Sequence, residues 1–296
     1  MKRRNGKIVI AVIVFAVLIL DTNTAIEGVR SGLEVCMQSA IPSLLPFLII
    51  AKFISGNLYG LKIPIISKLG NLCGIPKGME SILGIGLISG YPVGAQIVKD
   101  AWEKHYIDQQ DAERILGFCN NAGPAFIFGV CAGMFSSPRT GFLIFMIQLT
   151  SALLCGMILS GKNDGIERRI SGVSTSSFVS ILNAVIGSMA GICGWIICFR
   201  VILSYIERYL PIENIIVKAG IYGAFELVNG TFAIAEIPSE AIRFVMINGI
   251  LGLGGLCVWM QTAAAAKGLS IKRFCMCKLL QSGVCMILAA ITQSVI

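Results

Sequence analysis

Charged residues are scarce in this chain. They make up 14% of its 296 residues, whereas an ordinary soluble domain has about 25%. Apolar residues make up 55% and the mean hydropathy is +0.81, which is more apolar surface than a soluble domain can bury. The alternating segments of about ten residues that build a membrane barrel are also missing. The composition therefore predicts an all-α polytopic membrane protein, because a helix satisfies its own backbone within lipid.

The usual catalytic and metal-binding motifs are missing too. His105 is the single histidine, the eleven cysteines include no Cys-x-x-Cys pair, and there is no phosphate-binding loop or His-Glu-x-x-His motif. We therefore expect no metal, no cofactor and no enzymatic activity. The net charge of +8 comes from basic residues scattered at the edges of apolar segments. That distribution indicates contact with the lipid bilayer and argues against nucleic acid as a partner.

Long apolar runs predict about seven transmembrane helices. Two further apolar segments, 80–98 and 219–237, are interrupted by Gly, Pro, Asn or Glu, which predicts two re-entrant helical hairpins. The predicted spans are 7–25, 41–57, 116–136, 140–160, 177–203, 244–264 and 274–295.

Lysine and arginine predict the orientation of the chain. If the N-terminus is cytoplasmic and each hairpin returns to its own side, most basic residues lie in cytoplasmic loops, which is the usual bias of membrane proteins. The cytoplasmic group then includes Lys62, Lys267, Lys272, Arg273 and Lys278. If either hairpin crossed the membrane fully, this bias would disappear.

The same order of elements occurs twice, as span, hairpin, span and span. Residues 30–160 and 177–296 begin on opposite sides of the predicted membrane, which makes them two inverted repeats. Residues 1–29 form a separate N-terminal transmembrane helix, and 161–176 form a cytoplasmic linker. Inverted repeats with interrupted segments at matching positions are typical of secondary transporters, which bind substrate near the bilayer midplane.

The first hairpin contains Gly90, Tyr91, Pro92 and Gly94 within five residues. A helix break in lipid leaves backbone groups without partners, so it persists only where protein, water or a solute supplies them. Free N–H groups at a helix N-terminus suit an anion. These residues are therefore predicted to form a tip that meets substrate. The alternative is that glycine and proline serve here only as kinks or small packing residues.

A second cluster consists of Asn120, Asn121, Gly123 and Pro124, near the start of a predicted span. Asparagine both donates and accepts hydrogen bonds, which suits a neutral or anionic polar solute. An interfacial turn or a hydrogen bond between helices explains the same residues equally well.

The third cluster lies in the second hairpin and contains Glu226, Asn229, Gly230 and Thr231. An ionisable residue deep in an apolar stretch, such as Glu226, predicts a functional role. It could carry a coupling proton, help to bind Na⁺, or accept a hydrogen bond from substrate; a structural pairing with Arg200 is the alternative. Weaker candidates on a later span are Asn248, Gly252, Gly254, Gly255 and Gln261, where glycine also serves close helix packing.

The chain resembles the sporulation integral membrane protein YlbJ family in three motifs, ISGYPVGAQIVKD, FCNNAGPAFIFGVCAGMF and GLGGLCVWMQ. This family belongs to the nucleoside-recognition, or Gate, proteins of endospore-forming bacteria. The resemblance covers roughly residues 30–296. The Gly-Tyr-Pro-Val-Gly-Ala block is intact, whereas Ala122 stands where the family pattern has Ser or Thr, which removes a hydroxyl.

The resemblance implies a fold similar to the concentrative nucleoside transporters, with two inverted repeats, helical hairpins and a possible homotrimer. It also implies a role in sporulation, with dipicolinate moving from the mother cell across the outer forespore membrane. Dipicolinate is a small aromatic dianion, which helix N-termini, amides and the Tyr91 ring would suit. The predicted function is therefore transport of a small anionic aromatic solute, with Na⁺ or H⁺ as a possible coupling ion.

Two other functions remain open. A Na⁺- or H⁺-coupled nucleoside or nucleobase transporter would use the same tips. A non-transporting membrane subunit of a sporulation assembly would instead have purely structural hairpins. Asn121→Ala would reduce flux in a transporter, but in a subunit it would disturb folding or partner capture.

Overall fold

The computed structural model describes residues 2–58, 63–161 and 177–295, and all regular secondary structure in them is helical. This confirms the predicted all-α class. The predicted linker 161–176 lies outside the described residues except for Gly161, and Lys62 lies outside them as well.

The described helices are, in chain order, α1 (Lys2–Leu20), α2 (Thr22–Val35), α3 (Ile41–Leu58), α4 (Pro64–Leu72), α5 (Ser81–Ser89), α6 (Val93–Glu103), α7 (Gln109–Cys119), α8 (Pro124–Phe126), α9 (Pro138–Ile158), α10 (Phe178–Tyr209), α11 (Ile215–Phe225), α12 (Leu227–Ala235), α13 (Glu240–Leu253), α14 (Gly255–Ala265) and α15 (Lys272–Thr292). A π-helical turn, Cys36–Ala40, joins α2 to α3, and the turns Ile127–Cys131 and Ala132–Met134 continue α8.

Six helical segments of the described chain are long and apolar enough to cross a membrane. They are Thr22–Ile50, Gln109–Met134, Pro138–Ile158, Phe178–Tyr209, Glu240–Ala265 and Lys272–Thr292. This agrees with the prediction of a multi-pass membrane protein, and all but the first correspond to predicted spans.

The N-terminal region differs from its predicted boundaries. The span predicted at 7–25 is divided, because α1 ends at Leu20 and Asp21 caps a new helix by accepting a hydrogen bond from the Thr24 N–H at 3.2 Å. Helix α2 then continues through the π-helical turn into α3, so the candidate span begins at Thr22, well before residue 41.

Both segments predicted as hairpins are pairs of short helices that pack against each other. Helices α5 and α6 are joined by residues 90–92, and α11 and α12 are joined by Glu226 alone. The following span is interrupted in each half as well, at residues 120–123 between α7 and α8 and at Gly254 between α13 and α14. The two halves thus share the order of span, hairpin, interrupted span and span; their inverted orientation stays a prediction.

Close backbone approaches hold each hairpin in place. In the first, a Cβ added to Gly94 would lie 2.3 Å from the carbonyl oxygen of Cys119 in α7. In the second, a Cβ on Gly230 would lie 2.2 Å from the Cα of Gly223, so α11 and α12 touch through their backbones. Because backbone atoms cannot move aside as a flexible side chain can, glycine is required at both positions.

We expect Gly230→Ala to destabilise the protein by about 1–3 kcal/mol, because the added methyl group forces the two arms of the second hairpin apart. Gly220→Ala is the matched control in the same hairpin, since nothing lies within 4 Å of its added Cβ. That change should be neutral or slightly stabilising, as alanine favours a helix over glycine. Thermal unfolding of the purified variants in detergent measures both effects, and equal melting temperatures would contradict the predicted backbone contact.

Candidate functional site

Three of the four helix interruptions meet around one cleft. Its wall contains Gly90 and Tyr91 from the first hairpin, Gly123 from the break after α7, and Glu226 from the second hairpin. Most of the remaining wall is apolar and comes from α3, α10, α12 and α14, with Gln261 as an additional polar group. The structure therefore brings part of each predicted cluster to a common cavity.

Gly90 allows the chain to turn at the tip of the first hairpin. Its φ of 73° lies in the left-handed region that favours glycine. A Cβ at this position would also lie 2.9 Å from the Cα of Gly123, so the two breaks of the first half touch each other. The carbonyl oxygen of Gly90 accepts hydrogen bonds from the N–H groups of Val93 and Gly94, at 3.0 and 3.3 Å. The first turn of α6 is therefore closed by its own backbone.

Asn120 connects the first hairpin to the second half of the chain. Its Oδ1 accepts a hydrogen bond from the Ala95 N–H at 3.2 Å, and its Nδ2 donates to the Thr262 hydroxyl at 2.9 Å. The side chain is fully buried. The Ala95 N–H lies at the N-terminus of α6, where an anion was expected to bind, and Asn120 accepts its hydrogen bond instead. Asn120 itself does not line the cleft.

Asn121 also lies behind the cleft wall. Its Nδ2 donates to the carbonyl oxygen of Phe118 at 2.6 Å, and its Oδ1 accepts a hydrogen bond from the Lys278 ammonium group at 2.7 Å. Both side chains are buried. The two adjacent amides therefore bond to different helices, Asn120 to Thr262 of α14 and Asn121 to Lys278 of α15.

Glu226 is the N-cap of α12. Its Oε1 accepts a hydrogen bond from the Val228 N–H at 3.0 Å, and its Oε2 accepts two from Asn229, the N–H and Nδ2, each at 2.7 Å. A carboxylate at a helix N-terminus is stabilised by these N–H donors and by the helix dipole. No ion pair joins Glu226 to Arg200 in the described residues, because Arg200 bonds to Glu207 and Ser31. The alternative of pairing with Arg200 is therefore not what the structure shows.

The remaining residues of the three predicted clusters have local roles in the described structure and do not line the cleft. The Thr231 hydroxyl donates to the carbonyl oxygen of Leu227 at 2.8 Å, within α12. Pro92 precedes α6 as its N-cap and Pro124 is the first residue of α8, a position that suits proline because its missing N–H has no helical partner. Asn229, Gly230 and Gly94 have the cap and backbone contacts described above.

Lys278 is the residue that sequence reasoning missed. It was assigned to a cytoplasmic loop, but it is the seventh residue of α15 and has 0% of its surface exposed. Its Nζ donates to Asn121 Oδ1 at 2.7 Å and to Gln281 Oε1 at 2.8 Å, and it lies 5.5 Å from the centres of the Tyr91 and Phe274 rings. The signal was present, since Lys278 interrupts an apolar stretch just as Glu226 does.

The break at Gly254 was considered only a weak candidate from sequence. Gly254 and Gly255 both have positive φ values, 75° and 73°, and a Cβ on Gly255 would lie 2.7 Å from the Gly223 carbonyl oxygen. A Cβ on Gly254 would lie 3.1 Å from the Tyr91 hydroxyl oxygen. This fourth break therefore touches the tips of both hairpins.

The fold and the cleft define the class of protein, a polytopic helical membrane protein whose interrupted helices enclose a central cavity. The chain is similar to sporulation integral membrane protein YlbJ of Bacillus subtilis (strain 168), with 23% identity over 316 aligned positions that cover 90% of this chain and 77% of that protein. The predicted resemblance to the YlbJ family is thereby confirmed. No family model matches the chain, and no solved structure matches it significantly.

We expect Glu226→Gln to lower the free energy of unfolding by about 1–3 kcal/mol, because glutamine offers one acceptor oxygen where the carboxylate serves three N–H donors. Glu236→Gln is the matched control, since Glu236 is exposed at the other end of α12. Thermal unfolding in detergent compares the two variants. If Glu226→Gln melts as the control does, the cap makes no measurable contribution and a purely functional role for Glu226 gains weight.

Proposed function

We propose that this protein transports a small anionic aromatic solute across a membrane of a sporulating cell, and that the solute is dipicolinate. One observation supports transport most strongly: the tips of both hairpins and the break between α7 and α8 converge on one cleft. Interrupted helices in lipid need partners for their backbone groups, and transporters place their substrate where such helices meet.

The wall of the cleft suits an aromatic ring. It contains Phe47, Tyr91 and Phe126 among aliphatic side chains, with few polar groups. Small-molecule sites are mostly apolar, with a few polar groups that orient the ligand. Glu226 and Gln261 are such groups here. A flat heteroaromatic solute with polar substituents fits this pattern.

A coupling ion follows from the position of Glu226. An anionic solute in the cleft would meet the Glu226 carboxylate, and two like charges in a poorly hydrated cavity repel strongly. Neutralising Glu226 with a proton, or pairing it with Na⁺, removes this repulsion. We therefore propose that H⁺ or Na⁺ enters with the solute and that Glu226 is the residue that receives it.

The relative's name supports the cellular setting, since it describes an integral membrane protein of sporulation. We propose that this protein acts in the outer forespore membrane with its N-terminus in the cytoplasm. Movement of one hairpin-bearing bundle against the other would open the cleft to each side in turn. By analogy with nucleoside transporters the protein would be a homotrimer, and it would act as a carrier and not as an enzyme.

Uptake of labelled dipicolinate into liposomes containing the protein tests the proposal. We expect saturable uptake by the unaltered protein and at least tenfold less with Ile192→Trp, because Ile192 lines the cleft from α10 and the larger side chain would fill it. Ile186→Trp is the matched control, since Ile186 lies on the same helix with 54% of its surface exposed. Both variants must elute as the unaltered protein does in size-exclusion chromatography.

The other outcomes separate the alternatives. Uptake of nucleosides or nucleobases in place of dipicolinate would support a nucleoside carrier. No uptake by folded protein under imposed Na⁺, H⁺ and voltage gradients would contradict transport by this chain alone and favour an assembly subunit. Equal uptake by the two tryptophan variants would show that solute does not pass through the cleft.

A further inference from the structure

Lys278 is a charge without a charged partner among the residues that the structure describes. It lies in a helix that is apolar enough to cross the membrane, it is fully buried, and among the described residues no carboxylate forms a salt bridge with it. Its hydrogen-bond partners are the neutral amides of Asn121 and Gln281. Buried ionised groups are normally paired, because moving an unpaired charge out of water is very unfavourable. A neutral side chain could bond to the same amides without the free-energy cost of burying a charge. The charge of Lys278 therefore needs an explanation.

The ammonium group also has an unused donor. Lysine has three N–H donors, and the hydrogen bonds to Asn121 and Gln281 account for two. In the described structure the third has no hydrogen-bond acceptor, although the rings of Tyr91 and Phe274 lie 5.5 Å away. Aromatic faces attract a cation, but more weakly than a carboxylate does. One N–H of the Lys278 ammonium group can therefore still donate a hydrogen bond to a ligand.

Tyr91 separates this ammonium group from the cleft. Its ring contributes to the cleft wall and also faces Nζ of Lys278. The Tyr91 hydroxyl is buried beside Gly254 and has no hydrogen-bond partner among the described residues. Buried hydroxyl groups are usually hydrogen-bonded. Two unsatisfied polar groups, one cationic, thus lie directly behind the cleft surface.

We propose that Lys278 supplies the positive charge that selects carboxylate anions in the cleft, with a carboxylate of the solute accepting the third N–H once the Tyr91 side chain moves aside. This inference rests on the proposed function and adds the class of group that the site recognises. It also explains how an anion is attracted although the N-terminus of α12 is capped by Glu226 and an α6 amide is taken by Asn120. The Tyr91 hydroxyl would be the second group to bond the carboxylate.

A pair of probes of nearly equal shape tests the inference. Pyridine-2,6-dicarboxylate and pyridine-2,6-dicarboxamide differ chiefly in charge, and their binding to purified protein in lipid nanodiscs is measured by calorimetry. We expect the unaltered protein to prefer the dicarboxylate. In Lys278→Met the dicarboxylate should bind about thirtyfold or more weakly, because losing one partner of a buried charge pair has an effect of this size, while dicarboxamide binding should change little. The preference ratio does not depend on the fraction of protein that is folded.

Two further variants complete the test. Lys52→Met removes another lysine of a membrane helix, whose Nζ donates to Gln96 Oε1 at 2.7 Å, and it should leave the preference unchanged. Gln281→Glu keeps Lys278 but places a carboxylate of equal size at 2.8 Å from its Nζ. This internal anion should compete with the solute and abolish the preference, and because it gives the buried lysine a counter-charge it should not impair folding. It therefore carries the test if Lys278→Met does not fold.

Each result decides between defined possibilities. If Lys278→Met, or Gln281→Glu in its place, retains the preference for the dicarboxylate, the inference is wrong while the proposed function stands. If the unaltered protein binds the dicarboxamide as well as the dicarboxylate, selection by charge is wrong. If it binds neither probe, the proposed substrate is wrong as well.

Discussion

A backbone interrupted inside a membrane has to find partners for its N–H and C=O groups within the protein, and this constraint organises the whole molecule. Two side chains meet part of the demand. Asn120 accepts from the amide of Ala95 and donates to Thr262, which ties the first hairpin to the second half of the chain. Glu226 accepts hydrogen bonds from two backbone N–H groups and from the Asn229 side-chain amide at the start of α12. At these two breaks the protein itself therefore supplies hydrogen-bond partners.

Once the breaks are satisfied from within, a solute has to be recognised by other groups. This separates two roles that the same residues were expected to share. The polar side chains at the tips maintain the shape of the cavity, while its wall offers aromatic and aliphatic surface together with Glu226 and Gln261. A buried positive charge, on Lys278, lies behind this wall. The proposed transporter thus combines an anion-attracting charge with a carboxylate that accepts the coupling ion.

Sequence reasoning reached the helical class, both hairpins and the clusters at Gly90, Asn120 and Glu226, because each of these has a local signal such as Gly-Tyr-Pro or a charge in an apolar run. It could not assign side chains to faces. Whether Asn121 points into the cleft or toward α15 depends on how helices distant in sequence pack. Lys278 was misplaced for the same reason, since a lysine a few residues inside a helix end resembles a loop residue until its neighbours are known. The divided first span depended on Asp21, whose capping role was overlooked.

The most direct measurement is the structure of the protein in lipid nanodiscs with saturating dipicolinate, determined by electron cryomicroscopy. We expect density for the solute in the cleft between Tyr91 and Glu226, with the Tyr91 ring displaced and one carboxylate within hydrogen-bond distance of Lys278 Nζ. Solute bound at another place, or an empty cleft with Tyr91 still covering the ammonium group, would contradict it.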